Sequence, residues 1–425
     1  MRTSLIVKEF DEIINKDNKK PWMSCHDLPS QTFNDLKIFI EEVNTSEIES
    51  DILDFMRIGY KRDYGDVITV RNYVGLIQMK DGTQIEILPK IAKQDNDAET
   101  KKIFLGMLRT LKEFSGKVFN SSSLNTDRMN LYEIFINMYL QEVRYLINKG
   151  VKSFYERKEE NPNVFKGKLN VREQINKNLL HKEKFYIEYD EYTVNRPENR
   201  LIKSTLLKLQ KLSNYIENIK EIRNLLNSFE FIDESKNYDK DFSQVVIDRS
   251  NKEYENLMDW SRVFLYNKSF TTFSGSTAAR SLLFPMEKVF ESFVANELKK
   301  STRDKQWEVS TQDRGLFLFD SPEKFSLRPD IVIRLEDDEV VVMDTKWKVL
   351  VNDERRNYGV FQADMYQMYA YAKKYNAKKV IVIYPLNTEM RETVTFISDD
   401  GVEVNLFFID LNNTDQSINK LINLI

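Results

Sequence analysis

The sequence predicts a multidomain chain of mixed α/β and α+β class: a β-rich α+β segment over residues 1–100, a mainly helical middle over 101–280, and an α/β segment over 281–425. Its 425 residues exceed what one hydrophobic core usually serves. β-type apolar patterning is densest between Val67 and Ile91, a helix-period stripe follows Asn199, and helix and strand signals alternate after Pro285.

In the first segment, Ser4–Phe10 reads as a strand and Thr32–Val43 as a helix. Val74–Met79 and Gln84–Leu88 flank Lys80-Asp81-Gly82-Thr83, whose Asp-Gly pair suits a tight hairpin needing positive φ. Pro89 has no N–H for the ladder and ends the second strand. The polar run Ala92–Thr100 marks the first boundary. Lys101–Phe114 and Leu131–Ile147 then carry apolar residues at helical spacing. One long helix is expected after Asn199, with a stripe running from Leu201 to Leu226 that serves either as core or as a partner-binding face. Asp233–Lys240 is polar and charged and reads as a loop.

In the last segment, Pro285 is suited to opening a helix whose apolar face includes Met286, Phe290, Phe293 and Leu298. Trp307–Ser310, Leu316–Phe319, Ser326–Arg334 and Glu339–Lys348 read as strands, the last two joined by the acidic run Leu335–Glu339. That run lacks the glycine and spaced ligands of a calcium loop and reads as a solvated hairpin tip. A helix over Phe361–Tyr375, a buried strand over Lys379–Tyr384, and strands over Thr393–Ser398 and Val402–Leu411 turning at Asp400-Gly401 complete a sheet covered by helices.

Composition excludes several classes of function. With 41% apolar and 31% charged residues the chain is neither collagenous, low-complexity nor wholly disordered. A single cysteine, Cys25, and two histidines, His26 and His181, rule out an intramolecular disulfide, a Cys/His zinc site and a Cys-ligated iron–sulfur cluster. They fit a reducing cytoplasm. The start has too short an apolar run for a signal peptide, and no later run approaches a membrane span. With 63 basic against 67 acidic residues there is no overall basic footprint, so DNA would be met by local patches. No phosphate-binding Gly-x-x-x-x-Gly-Lys-Ser/Thr loop occurs, which leaves nucleotide hydrolysis to a partner.

The chemistry concentrates in two adjoining strands. Pro329-Asp330 opens one, and Asp344-Thr345-Lys346 closes the next after the apolar Val340–Met343. Strand alternation puts Asp344 and Lys346 on one face and turns Thr345 away. Hairpin pairing would bring Asp330 beside Asp344, two hard-oxygen ligands suited to Mg²⁺ with open water positions. Such an ion polarises a phosphoryl oxygen and acidifies water, while Lys346 orients that water or offsets charge developing on the phosphate. Asp17-Asn18-Lys19, Glu99-Thr100-Lys101 and Glu156-Arg157-Lys158 show the same carboxylate-x-Lys spacing and read as surface ion pairs. Asp344 differs because four apolar residues precede it, and a buried charge is costly without a purpose.

This arrangement resembles the PD-(D/E)xK nuclease motif. In that superfamily a further carboxylate often comes from the preceding helix, which here implies Glu291, with Glu287 one turn earlier as the alternative. Gln367-Met-Tyr-Ala-Tyr371 resembles the Gln-x-x-x-Tyr of RecB-like members, an auxiliary pair near the DNA; read alone, Gln367 caps a loop and Tyr371 is core. The whole chain is similar to the McrC subunit family of McrBC-type restriction systems. Tyr73–Met79 with Ile85–Lys90, Phe165–Leu169 with Tyr189–Tyr192 and Asn199–Lys203, and Phe284–Glu291 with Leu327–Asp330, Asp344–Lys348 and Gln367–Tyr371 carry the similarity.

The resemblance implies a Mg²⁺-dependent DNA endonuclease, with Mn²⁺ as a substitute, in which Asp330, Asp344, the Thr345 carbonyl and Glu291 hold the metal and Lys346 assists attack. It also implies a partner, an McrB-like hexameric AAA+ GTPase that recognises modified double-stranded DNA, on which the chain docks through its first and middle segments and whose GTP hydrolysis it stimulates. Dimerisation through the last segment would supply the second site a double-strand break needs. Arg62, Arg71 and Lys90 are exposed basic candidates on the first segment, with ordinary surface charge as their other reading. Two other functions stay open from residues alone: a stand-alone nuclease of repair or recombination, and a GTPase-ring adaptor with little cleavage of its own.

Overall fold

The computed structural model describes residues 4–45, 56–91, 96–111, 129–266 and 279–425. Its N-terminal part runs β1 (Ser4–Lys8), β2 (Glu12–Asn15), β3 (His26–Leu28), α1 (Ser30–Thr45), β4 (Met56–Lys61), β5 (Gly65–Val70), β6 (Tyr73–Met79), β7 (Gln84–Leu88) and α2 (Asp97–Leu108). β2 to β5 form one sheet in the order β3-β2-β5-β4. The expected hairpin joins β6 to β7, with Gln78 opposite Gln84. Gly82 takes φ 87 at its tip, and the Asp81 carboxylate accepts the Thr83 N–H at 2.7 Å. β7 is buried along its whole length, so its Glu86 carries a counter-ion, Lys101 of α2, at 2.9 Å. The boundary run overlaps this helix: Asp97–Thr100 is its first turn, while 92–95 and the end of the expected 101–114 helix lie outside the described residues.

The middle holds α3 (Leu131–Lys149), β8 (Phe154–Glu160), β9 (Lys168–Leu169), α4 (Val171–Asn178), β10 (Ile187–Thr193), α5 (Pro197–Leu212), α6 (Ile216–Asn227), α7 (Tyr238–Gln244) and α8 (Tyr254–Tyr266). Two features differ from expectation. A three-stranded antiparallel sheet, β8-β10-β9, interrupts the helices. The long stripe breaks at Ser213, whose backbone turns extended at φ −66, ψ 141. The Glu133 carboxylate, on the first turn of α3, draws the break inward. It accepts the Ser213 hydroxyl at 2.7 Å, the Asn214 N–H at 2.6 Å and the Asn218 amide at 2.9 Å. Glu133→Ala would remove the carboxylate these three donors share in and beside the core and is expected to destabilise this unit by about 3 kcal/mol. Urea melts followed by circular dichroism measure it; an unmoved midpoint would contradict the account. The predicted loop is shorter than expected, since Tyr238–Lys240 already belongs to α7.

The C-terminal part follows as β11 (Ala279–Pro285), α9 (Met286–Ser301), β12 (Glu308–Thr311), β13 (Phe317–Asp320), β14 (Glu323–Ser326), β15 (Ile331–Arg334), β16 (Val340–Thr345), α10 (Gln362–Lys374), β17 (Lys379–Pro385), β18 (Val394–Ile397), β19 (Glu403–Ile409) and α11 (Thr414–Leu424). The strand expected over Ser326–Arg334 is two, because β14 pairs back on β13 and the chain crosses Leu327–Asp330 before β15 begins. A six-stranded mixed sheet, β12-β15-β16-β17-β19-β18, is parallel only at its centre, β16-β17-β19. Helices covering these central strands explain their nearly continuous apolar runs.

β11 does not join that sheet. It pairs with β6 to complete β1-β7-β6-β11, and Gly75 makes the approach possible: a Cβ there would meet the Leu282 carbonyl oxygen at 2.0 Å. The chain therefore divides into two compact units. One unites Met1–Ser115, Asn120–Leu131 and Lys268–Ile425; the other comprises Gly116–Phe119 and Tyr132–Asn267. The segments 1–100 and 281–425, separated in sequence, share the first unit, and α2 belongs there too, packing on β7 and α9.

Candidate active site

The site forms where β15 and β16 meet. Ile331 pairs with Met343, so the next step outward sets Asp330 against Asp344, as the sequence suggests. Val342, on the same face of β16 as Asp344, packs with Met368 and Tyr371 of α10. The Lys346 N–H donates to the Ile383 carbonyl of β17 at 2.9 Å, which holds the strand end against its parallel neighbour.

Thr345 does not turn away as expected. Its backbone N–H and its hydroxyl both donate to Asp330 Oδ2, each at 2.7 Å. Lys346 Nζ lies 2.8 Å from Asp344 Oδ2, an ion pair at a buried carboxylate. Burial pushes the Asp344 carboxyl up to about 7, the neighbouring Asp330 adds to this, and Lys346 offsets part of it. Burial likewise raises Asp330 to about 6, with Glu291 adding and the two Thr345 donors opposing. For Lys346 burial alone would lower the ammonium, but Asp344 overrides it and holds the lysine above its ordinary value.

α9 brings Glu287 and Glu291 to the same region from one helix face. Its first N–H, from Met286, donates to the Asn72 carbonyl at 2.9 Å, so the N-terminal sheet sets where this helix starts. Glu291 accepts a short hydrogen bond from the Gln312 amide, and the Gln312 N–H donates to the Asp330 carbonyl at 3.0 Å. Both glutamates titrate above the ordinary range, first through desolvation; Asp344 raises each further, while Lys346 opposes the shift at Glu287. On α10 the Gln367 amide donates to the Tyr371 hydroxyl at 2.7 Å, which ties the two tips together on one face. Tyr371 is buried and its phenol is pushed up to about 12 by desolvation and then by Asp344.

Three residues enter that the sequence reading missed. Asp364, on the first turn of α10, acts electrostatically on Asp344, Lys346 and Glu287. Its position three residues before Gln367, on the same helix face, was the available signal. Gln312 bridges Glu291 to the Asp330 backbone with φ 54, a conformation no local pattern announces. Trp347 packs its ring edge-on against Phe290 of α9, with centroids 5.3 Å apart. Of the basic candidates, Arg62 and Lys90 are exposed whereas Arg71 is half-buried.

Among the described residues no three Asp, Glu, His or Cys side chains already converge as a metal cluster. The donors present are the buried Asp344 carboxylate, ion-paired with Lys346, and the half-buried Asp330 carboxylate beside it. That set fits a hard divalent cation bound by one or two carboxylates while keeping several waters.

A family model described as "McrBC 5-methylcytosine restriction system component" matches residues 68–385. Among solved structures, a refined half-complex from a tetradecameric assembly of Thermococcus gammatolerans McrB AAA+ hexamers with bound McrC aligns at TM-score 0.72 and 19% identity, covering 100% of both chains. A cryo-EM structure of the Thermococcus gammatolerans McrBC complex aligns at TM-score 0.51 and 20% identity, over 69% of this chain and 86% of that one. At these identities the likeness is one of fold. No curated protein matches the chain.

Proposed function

Because the chain belongs to the McrBC 5-methylcytosine restriction system component family, we propose that it is the DNA-cleaving subunit of a modification-dependent, GTP-driven restriction complex, a PD-(D/E)xK nuclease working with an AAA+ GTPase ring. The observation that carries the reading is the Asp330–Thr345 and Asp344–Lys346 pairing at the ends of two buried strands.

Asp330, Asp344 and the Thr345 carbonyl would hold Mg²⁺ or, in its place, Mn²⁺, with Glu291 or Glu287 as a further ligand. When bound, the ion would supply Lewis-acid polarisation of the scissile phosphate and a water of lowered pKa. Thr345 fixes one oxygen of Asp330 and so orients that carboxylate before substrate arrives. Lys346 keeps its proton at neutral pH beside Asp344, so it acts as a positioned charge that orients the attacking water and offsets negative charge on the phosphate. Tyr371 also keeps its proton and, itself buried, anchors the Gln367 amide, the exposed member of the pair available to the DNA backbone.

The partner is an McrB-like hexamer; a hexameric ring with McrC bound is what the aligned Thermococcus structure contains. A surface of the middle unit supports such docking. Val171 and Ile175 on α4 and Leu179 at its C-terminal cap recur every four residues and are 60%, 59% and 70% exposed, with Leu180 next in sequence at 89%. Leu179→Glu with Leu180→Glu is expected to weaken capture by the GTPase at least about 10-fold without shifting the melting temperature. Titration of labelled chain into the ring measures this, and unchanged affinity would remove the surface from the docking site. A dimer through the nuclease portion would place two cuts on double-stranded DNA. No helix among the described residues is long and apolar enough to cross a membrane.

The test is plasmid cleavage with Mg²⁺, comparing the chain alone with the chain plus its cognate GTPase and GTP, on modified and unmodified DNA. Cutting only in the complete reaction on modified DNA supports the proposal. Cutting by the chain alone would make it an independent nuclease, and faster GTP hydrolysis without cutting would leave a ring adaptor.

A further inference from the structure

The buried carboxylate of Glu9 has no part in the chemistry above, yet it reaches the catalytic strand from 338 residues away. Glu9 follows β1 and is fully buried; its N–H donates to the Leu88 carbonyl of β7 at 3.0 Å. The indole N–H of Trp347 donates to its carboxylate, 2.9 Å from Oε2 and 3.1 Å from Oε1, and the Lys90 N–H donates to Oε2 at 3.2 Å. Trp347 is the residue after Lys346, and its ring lies against Phe290, the residue before Glu291. One indole is thus held between the N-terminal sheet, the end of β16 and the helix carrying Glu291.

We propose that Glu9 is a positioning residue for cleavage: through Trp347 it sets the end of β16, and with it Lys346, relative to Asp344. Burying an acid at an interface of apolar strands is unfavourable for stability alone, since an apolar pair would fill the space without the desolvation penalty. A carboxylate, unlike an apolar side chain, fixes the direction of an N–H, and so the rotation of the indole whose backbone continues into Lys346. Movement of β1 and β7 would therefore reach the nuclease strand through one hydrogen-bonded contact. The inference rests on the nuclease reading of Asp330, Asp344 and Lys346.

The experiment uses the full chain with its GTPase, GTP, Mg²⁺ and modified plasmid under single-turnover conditions, with folded fraction measured by circular dichroism at the assay temperature. Glu9→Gln keeps volume and one acceptor; Trp347→Phe keeps an aromatic ring beside Phe290 and removes the donor together with the smaller of the two fused rings. Each is expected to lower the cleavage rate per folded molecule about 10-fold with KM for DNA unchanged, and the double variant to be no slower than the slower single. Rates per folded molecule within twofold of wild type, losses that merely track the folded fraction, or fully multiplicative losses would each overturn the positioning role. Asp344→Ala is run alongside: if it cuts normally the nuclease assignment itself fails, whereas a dead Asp344→Ala beside unaffected Glu9 and Trp347 variants removes only this inference.

Discussion

Asp344→Asn is expected to lower DNA cleavage in the complete reaction by about 10³-fold or more, the loss of several kcal/mol of transition-state stabilisation. The amide keeps the shape of the carboxylate but removes one of the two charges that would hold the cation and the anion that holds the Lys346 ammonium. Both effects fall on the reacting phosphate, so the loss should appear in the rate rather than in KM. The fold should persist, since the amide keeps the shape of the side chain and an oxygen for Lys346 while removing a buried charge. Stimulation of the partner GTPase should also persist, because the proposed docking stripe on α4 lies in the other compact unit. Glu291→Gln should cost far less, about 10-fold, because that side chain already spends a carboxylate oxygen on Gln312. Equal losses at Glu291 and Asp344 would mean that Glu291 is a principal ligand. A normally active Asp344→Asn would remove the site.

The parts of the site legible in the sequence are those encoded locally. Asp330 and Asp344 stand out because each terminates a short apolar strand, and two such strands joined by a hairpin must bring their ends together. The β6–β7 hairpin is legible for a similar reason: Asp81-Gly82 supplies its own turn chemistry. What was missed depends on distant partners. The stripe after Asn199 continues through Ser213 in pattern, and the break there is tied to Glu133, 80 residues earlier. β8 reads Phe-Tyr-Glu-Arg-Lys-Glu-Glu and β10 Ile-Glu-Tyr-Asp-Glu-Tyr-Thr; with little of either buried, no apolar alternation marks them as strands. The N-terminal and C-terminal segments look separable by composition. They share a unit because β11 finds β6 and Trp347 finds Glu9, contacts that no local pattern contains.

That last contact predicts a measurable pH dependence of stability. Burial pushes the Glu9 carboxyl up to about 7 from an ordinary 4.5, with Trp347 and Lys90 opposing the shift incompletely. A carboxyl raised on folding binds its proton more tightly in the folded chain. Its contribution is therefore fully present below pH 4.5 and declines as pH rises through 7, where the folded protein must bury the ionised form. The difference between the two values corresponds to about 3 kcal/mol across that window. Asp330 and Asp344 are raised too and add to the slope in the same direction, so the wild-type curve alone does not isolate Glu9. Comparison with Glu9→Gln does. The amide does not titrate, and its misfit between the Trp347 and Lys90 N–H donors is the same at every pH. Urea melts at pH 5, 6, 7 and 8 should show wild type losing about 3 kcal/mol relative to Glu9→Gln, most of it before pH 7.5. Parallel curves would mean that Glu9 titrates as an exposed carboxylate and that water reaches the contact, leaving the indole free to turn. A slope of opposite sign would mean that the charged form is the one the fold prefers, so that Trp347 and Lys90 together outweigh its burial.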